Sequence, residues 1–201
     1  ECLDKSIRDC YVLNGTEYIW PNAFRCCLDL EIVYTPSTIK FIGKDAFWKC
    51  EKLSYMEFPE GLEVISESAF FKTAFHKIIL PKSLKTLEPY AFYSCDKLQE
   101  VIFHDGLSAI GEGAFFDCSL LTKIQLPKTL EKIDYEAFRH CRSLQSLDLY
   151  PYLKFIGDKA FLNCVNLKRI YYHGTNLDMA KTKLGQDWRF GVSKQFKLEY
   201  V

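Results

Sequence analysis

The sequence lacks the signals that most often assign a chain to a membrane, a nucleic acid or an enzyme class. It has no run of about 18 apolar residues, so no transmembrane helix is predicted. Neither sign of charge is in excess, because 26 Lys and Arg balance 26 Asp and Glu, whereas a nucleic-acid partner would need a basic face. No glycine-rich phosphate loop, His-x-x-x-His pair or Ser or Cys nucleophile motif is present. We therefore expect no catalytic residues, no cofactor, no bound metal, no nucleic-acid partner and no membrane insertion.

A secretory leader is also missing from the sequence. The chain begins at Glu1 without Met, and no charged-then-apolar signal peptide follows. We expect a mature or shortened form of a longer protein, with any targeting segment outside this sequence.

What the sequence does have is a repeated motif: Ala-Phe, two variable residues, then Cys. Full copies begin at Ala46, Ala91, Ala114, Ala137 and Ala160, and imperfect copies begin at Ala23 and Ala69. From Phe24 to Phe161 the steps between successive Phe are 23, 23, 22, 23, 23 and 23 residues. A period that regular predicts a solenoid of near-identical coils, in which each coil buries its apolar residues only against its neighbours.

Within one repeat, the apolar pattern predicts two short strands. In the unit that starts at Ala114, Leu121-x-x-Ile124-x-Leu126 alternates like a strand with one buried face, and Pro127 ends it. Leu130-x-x-Ile133 forms a second extended piece, followed by a turn at a position held by Gly, Ser or Asp in sibling repeats. No segment offers the 10 to 12 periodic residues of an ordinary helix. Each coil should be mostly β, with one tight helical turn near Ala-Phe and parallel sheets along the stack.

The ends of the chain are predicted to cap the stack. We expect one domain over 1–201, with an N-terminal cap and partial coil at 1–22, repeats at 23–173 and a C-terminal cap at 174–201. The N-terminal cap should hold a strand at Tyr11-Val12-Leu13 and a turn at Asn14-Gly15. In the C-terminal cap, Leu177, Ala180, Leu184 and Trp188 are spaced for a helix with Asn176 as its N-cap, and Phe196-x-Leu198-x-Tyr200 alternates like a closing strand.

These repeats resemble a known class. The order Leu-x-x-Ile-x-Leu-Pro-x-x-Leu-x-x-Ile-Gly-x-x-Ala-Phe-x-x-Cys, over about Val12 to His173, is similar to the BspA-like leucine-rich repeat of treponemal surface proteins. The repeat at Ala69 departs from it, because it lacks one residue and carries Thr73 in place of Cys. The resemblance implies a right-handed leucine-rich repeat superhelix in a secreted or cell-surface protein, with a role in adhesion or protein binding rather than catalysis.

The nine cysteines fall into two groups. Six of them occupy one position in successive coils: Cys27, Cys50, Cys95, Cys118, Cys141 and Cys164. Parallel side chains, one per coil, do not converge as a tetrahedral zinc site requires and suit a disulfide dihedral poorly. We interpret them as a buried packing ladder, with a disulfide or a metal site as the alternatives. Cys2, Cys10 and Cys26 lie in or beside the N-terminal cap, where one disulfide is expected if the protein is exported.

The remaining polar candidates are weak. The four histidines, His76, His104, His140 and His173, are spread along the chain and are interpreted as solvated or hydrogen-bonded surface residues. Asn14-Gly15-Thr16 matches an N-glycosylation acceptor, but we interpret it as a turn.

The residues between the buried positions of the main strand provide the candidate binding site. They face outward and form two rows along the stack. The first row is Ile32, Tyr55, Lys77, Glu100, Lys123, Ser146 and Arg169, and the second is Tyr34, Glu57, Ile79, Ile102, Gln125, Asp148 and Tyr171. Solenoids use such extended strips for binding, and Tyr, Arg and exposed apolar residues are typical of interfaces. The alternative is a merely soluble sheet face on which Lys77, Glu100 and Lys123 pair across coils. The row Phe41, Val64, Thr86, Ala109, Lys132 and Phe155 on the opposite face is a weaker candidate.

Together these observations favour a non-enzymatic binding or adhesion module. We expect a monomer at the cell surface or outside the cell that presents the strip around Tyr55, Ile79, Ile102 and Tyr171 to a protein or glycan. A second hypothesis is a structural spacer that displays another part of a longer surface protein. An enzyme is the third, and it would need carboxylates or histidines converging in a pocket.

Overall fold

A computed structural model describes residues 6–201. The chain winds into a β-solenoid whose coils each have three sides: a main strand, a shorter second strand and a turn at Ala-Phe. This architecture is the predicted one, and it follows from the period. Equivalent residues of successive coils lie side by side, so each coil supplies one strand to each of two parallel stacks.

The main strands are β1 (Asp9–Tyr11), β3 (Ile32–Tyr34), β5 (Tyr55–Met56), β7 (Lys77–Ile79), β9 (Glu100–Ile102), β11 (Lys123–Gln125), β13 (Ser146–Leu149), β15 (Arg169–Tyr172) and β17 (Lys197–Tyr200). The second strands are β2 (Tyr18–Ile19), β4 (Phe41–Ile42), β6 (Val64–Ile65), β8 (Thr86–Leu87), β10 (Ala109–Ile110), β12 (Lys132–Ile133), β14 (Phe155–Ile156) and β16 (Lys183–Leu184). One helix, α1 (Asn176–Lys181), precedes β16.

The two stacks of strands differ in continuity. The second strands form one parallel sheet of eight strands from β2 to β16. The main strands form three separate sheets of three strands each, β1-β3-β5, β7-β9-β11 and β13-β15-β17. Both stacks keep a strict register, so that Ile124 aligns with Val101 and Ile133 aligns with Ile110. The main face is therefore interrupted twice, between β5 and β7 and between β11 and β13.

The turn at Ala-Phe is present in every coil, but it is not helical. In one coil Ala46, Trp48 and Cys50 each donate a backbone hydrogen bond to the residue three positions earlier. The alternate amides, at Asp45, Phe47 and Lys49, donate to the next coil instead. Asp45 and Lys49 have positive φ values of 54° and 56°, which a helix excludes. Every amide of the segment is thus paired, alternately within its coil and to its neighbour.

The core is a stack of aromatic rings in line with the Ala-Phe turns. Six ring pairs, from Phe24–Phe47 to Phe138–Phe161, have centroids 5.0–5.5 Å apart and planes within 9° of parallel. The Leu and Ile positions of both strands close around this stack and are buried throughout. The period has placed one Phe per coil at the same point, which is why the rings meet face to face.

The ends differ from the predicted caps in two places. The N-terminal strand is Asp9–Tyr11, two residues earlier than predicted, because it pairs in register with β3; Asn14 and Gly15 do form a turn. The predicted helix through Trp188 is wrong beyond Lys181, because Leu184 instead pairs with Ile156 in the second sheet. Its N-cap is Thr175 rather than Asn176, in a capping box with Asp178. The closing strand is found as β17, which pairs with β15.

Candidate functional site

The two predicted rows lie on the solvent face of the main strands. In the first row Ile32 aligns with Tyr55 and Ser146 with Arg169; in the second, Ile79 aligns with Ile102 and Asp148 with Tyr171. None of the fourteen side chains is buried, whereas the strand residues between them are. We call this surface, the two rows together, the outward strip.

The N-terminal part of the outward strip is apolar. Tyr34, Tyr55 and Ile79 are 40%, 51% and 49% exposed. Tyr11, which the sequence reasoning assigned only to the cap, extends the second row, because it aligns with Tyr34 and stacks on it at a centroid distance of 4.5 Å. The position of Tyr11 in the repeat, equivalent to that of Tyr34, could have predicted this alignment from the sequence. Three tyrosines and an isoleucine thus form one exposed patch across four coils.

The middle and C-terminal parts of the strip are charged, with partial internal compensation. Lys77 Nζ lies 2.9 Å from a Glu100 carboxylate oxygen, and this contact holds the pKa of Glu100 below its usual range. Arg169 pairs with Glu199 at 3.3 Å, and His173 Nε2 lies 2.5 Å from Asp148 Oδ1. The charged end is therefore largely neutralised by its own neighbours, whereas among residues 6–201 the side chains of the apolar end stay substantially exposed.

A cleft of about 560 Å³ opens in the strip at the first interruption of the main face. It lies between β5 and β7, with Tyr55, Glu57 and Ile79 on its rims and Met56 and Phe58 in its walls. Because β5 and β7 do not pair within the described residues 6–201, backbone groups as well as side chains border this cleft.

The irregular repeat at Ala69 coincides with this first interruption. Between Phe70 and Phe75 the chain is one residue shorter than between Phe47 and Leu53, and a larger Phe75 replaces leucine. Phe75 is buried against Phe58 and Phe70, at centroid distances of 5.9 and 5.6 Å. Ala74 still donates to the carbonyl of Leu53, but the ladder between the strands does not continue. The missing residue was visible in the sequence; its effect on strand pairing was not.

The predicted cysteine ladder lies on the inner side of the Ala-Phe turns. All six side chains are fully buried. The thiols of Cys50, Cys95, Cys118, Cys141 and Cys164 donate to the carbonyl oxygen of the preceding coil's Phe, at 3.0–3.2 Å. Burial raises the pKa of Cys118 and Cys141 well above the usual value and that of Cys164 to about 12. Such thiols are poor nucleophiles and poor metal ligands, because both roles need the thiolate.

The structure describes two of the three cysteines in or beside the N-terminal cap, Cys10 and Cys26. Cys2 lies outside the described residues, so the expected cap disulfide stays a prediction for Cys2 and Cys10. Cys26 is a half-buried thiol at a position of positive φ.

Polar side chains elsewhere form pairs rather than clusters. His140 lies between Asp117 and Asn163, at 2.9 and 3.1 Å, on the outside of the Ala-Phe turns. Within residues 6–201 no three His, Cys, Asp or Glu side chains converge as a metal site would require. No helix of that part of the chain has the length and apolarity needed to cross a bilayer.

A second aromatic column was missed by the sequence reasoning. The residue after each Ala-Phe pair is aromatic in four consecutive repeats: Trp48, Phe71, Tyr93 and Phe116. Their centroids are 5.0–5.4 Å apart, and Arg25 and Arg139 lie over the two terminal rings at 3.9 and 5.1 Å. The column is half-buried and closed at both ends by its own cations, so it leaves less unpartnered surface than the apolar end of the strip.

The fold is similar to that of a solved bacterial protein. A leucine-rich repeat protein from Bacteroides ovatus superposes with a TM-score of 0.78 at 24% identity, over 96% of this chain and 55% of that one. The present chain therefore spans about half the length of that protein. A leucine-rich repeat protein of Treponema pallidum (TM-score 0.41, 21% identity, 65% of this chain and 75% of that one) and the pneumococcal vaccine antigen PcpA (0.38, 20%, 98% and 78%) also match. Comparison with curated proteins gives no significant match.

The repeat itself identifies the family. Six copies of the BspA-type leucine-rich repeat model match residues 17–122 and 109–183. This range includes every Ala-Phe turn and the strands β2 to β15. The chain belongs to the BspA-type leucine-rich repeat family.

Proposed function

We propose that this chain is a binding module of a cell-surface or secreted protein and that the apolar end of the outward strip holds a protein partner. The family suggests a protein-binding or adhesion-type module, and neighbours include a leucine-rich cell surface protein of Faecalibacterium prausnitzii and the vaccine antigen PcpA. The supporting observation on this chain is the exposed patch of Tyr11, Tyr34, Tyr55 and Ile79. Partly exposed aromatic and aliphatic residues that lie together are typical of interface centres.

The make-up of the apolar end favours a protein over a glycan. Tyr11 and Tyr34 stack with planes 12° apart, so each ring covers a face of the other. Tyr11 nevertheless stays 71% exposed, so its other face is open to solvent. A sugar ring could stack on that face alone, whereas a protein surface can also cover the aliphatic Ile79 and bond the tyrosine hydroxyls, so the patch as a whole suits a protein.

A structural spacer is the second candidate function. The observation that favours it is the ladder of cross-coil ion pairs over the rest of the surface, such as Lys40–Glu17, Lys85–Glu63 and Lys154–Glu131, which stiffens the solenoid without offering a site. In this reading the apolar end of the strip would be covered by other parts of a longer chain.

The test is binding to arrays of immobilised extracellular proteins and glycans, with the Ile79→Glu, Ile102→Glu double variant as probe of the strip. A protein ligand whose affinity falls about ten-fold or more in the double variant supports the proposal. The matched control is a Leu120→Glu, Val165→Glu variant, because these residues are 44% and 49% exposed but lie outside the strip. Equal losses in both variants, or unchanged binding in the strip variant, would refute the assigned face.

A further inference from the structure

We infer that the cleft between β5 and β7 takes an extended peptide segment of the partner, which completes the hydrogen bonding of the interrupted main sheet. The inference rests on the proposed function and deepens it, because it assigns one subsite of the outward strip and the chemistry of its ligand. It is carried by three features of the cleft: unpaired backbone groups, apolar rims and one uncompensated carboxylate.

The backbone of β5 directs hydrogen-bonding groups into the cleft. Successive residues of a strand point their N–H and C=O groups to opposite edges. Tyr55 donates to the carbonyl of Glu31 and Glu57 accepts from the hydroxyl of Thr35, so both face the preceding coil. Met56, which lies between them, therefore points its N–H and C=O toward β7.

The backbone of β7 does the same from the other side. The carbonyl of His76 accepts from Gln99 and Glu100, and the amide of Leu80 donates to Ile102, so these two residues face β9. Lys77 and Ile79 alternate with them and direct their groups toward β5. Since β5 and β7 do not pair in the described chain, the cleft is bordered by strand donors and acceptors on both walls. An open strand edge of this kind is a template for another extended chain.

The side chains around these groups suit an apolar ligand residue. Tyr55 and Ile79 stand on opposite rims and are about half exposed, while Met56 and Phe58 are 6% and 8% exposed and close the walls. Apolar ligand side chains spaced two apart would lie between the rims, as the strand period requires.

Charge adds a preference for a basic residue in the ligand. Glu57 lies on the rim, between Tyr34 and Ile79 in its row, and makes no ion pair with any residue of the described part of the chain. The neighbouring Lys77 is engaged by Glu100 at 2.9 Å. A Lys or Arg of the peptide is the complement that the cleft itself does not supply.

Selection of linear peptides from a random phage-displayed library against the whole 201-residue chain tests the inference. Enriched sequences should alternate apolar residues and carry a basic residue. As synthetic peptides they should bind about ten-fold more weakly to Ile79→Glu than to the wild type. N-methylation of alternate peptide amides should abolish binding, because it removes the donors that the added strand directs to one wall of the cleft and places methyl groups there. Hydrogen exchange at Met56, Lys77 and Ile79 should slow when peptide is bound.

Ile102→Glu is the matched control, since Ile102 aligns with Ile79 in the outward strip but lies on the paired strand β9. It should weaken peptide binding less than about three-fold. If both variants lose the same affinity, or N-methylated peptides still bind, the strip binds its partner by side chains alone and the cleft inference fails while the proposed function stands. If no peptide is enriched, the cleft inference also fails. If peptides bind equally to the wild type and to the strip double variant, the cleft inference fails, and the proposed function fails as well only if the protein ligand of the array test also binds both equally.

A Glu57→Gln variant tests the charge preference within the same assay. It should lower the affinity of basic peptides a few-fold and flatten their dependence on salt concentration. Unchanged affinity and salt dependence would contradict the assignment of Glu57 as the carboxylate that selects the ligand.

Discussion

The thiol of Cys118 donates a hydrogen bond of 3.2 Å to the carbonyl oxygen of Phe92, one coil earlier in the stack. The same relation recurs at Cys141 and Phe115 and at Cys164 and Phe138. A small buried donor thus links five of the Ala-Phe turns to the preceding coil, in addition to the backbone bonds between turns.

Cys118→Ala should cost about 1–3 kcal/mol of unfolding free energy, because it leaves a buried carbonyl with one partner fewer and a small cavity. Urea denaturation followed by circular dichroism measures the loss. Cys26→Ala is the control: its side chain is only half-buried, so the change should stay within about 0.5 kcal/mol. A Cys118→Ala chain that does not fold at all would indicate a covalent or metal-binding role instead.

The raised thiol pKa values predict slow alkylation. Cys118, Cys141 and Cys164 keep their protons at pH 8, because burial raises their pKa values, to about 12 for Cys164, and only the thiolate reacts. Pulsed alkylation with mass spectrometry should label Cys26 first and these three at rates set by unfolding. In urea all should react alike. The pKa of Cys164 is higher in the folded state than its unfolded value of 9.0. Its contribution to the stability of the fold is therefore fully present below pH 9 and should fall as the pH rises from 9 toward 12. Rapid native labelling of Cys141 would contradict the structure.

Phe115→Ala should be among the most costly substitutions. The ring is fully buried between Phe92 and Phe138, at centroid distances of 5.4 and 5.5 Å, and its removal should cost about 3–5 kcal/mol. Phe190→Ala, at a ring 65% exposed, should change stability by less than about 0.5 kcal/mol. Thermal and urea unfolding of both variants would compare them. Similar losses of stability in the two variants would mean that a ring in the core stack stabilises the fold no more than an exposed ring at the surface.

Glu100 should titrate below its ordinary range because of its contact with Lys77. Lys77→Ala should raise the pKa of Glu100, which carboxyl NMR would measure. Lys123→Ala should raise it less, since Lys123 acts only through weaker charge attraction. With its pKa lowered in the folded state, the stabilisation from Glu100 is present above the ordinary pKa and is lost as pH falls through the folded value. Equal shifts in both variants would show that the contact at 2.9 Å is not maintained in solution.

Much of the fold follows from the sequence because the period repeats one set of contacts in every coil. Phe115 and Phe138 had to meet once the step between them was 23 residues, and Ile124 had to face inward with Leu121 and Leu126. The rows of the outward strip follow from the same register. The predictions that failed are of two kinds. The turn at Ala-Phe is not helical, because its alternate amides pair with the next coil. The other failures lie where the chain leaves the period, because local spacing there competes with pairing to a neighbouring coil.

Leu184 is one such place. Its spacing from Leu177 and Ala180 fits a helix. Leu184 instead pairs with the edge of β14, and a residue inside a helix could not form those backbone hydrogen bonds. The cleft is another. Counting residues reveals the deletion before Phe75, yet only packing against Phe58 decides that the strand does not return to the ladder of β5.

The unequal continuity of the two sheets gives the molecule a preferred direction of bending. On the side of β2 to β16, flexing must stretch an unbroken run of hydrogen bonds, whereas the main side is already divided at two points. The three segments of the main face can tilt relative to one another, with the continuous sheet as the hinge. Tension along the axis should therefore widen the two interruptions before any coil unravels, so that mechanical load and the accessibility of the cleft are linked.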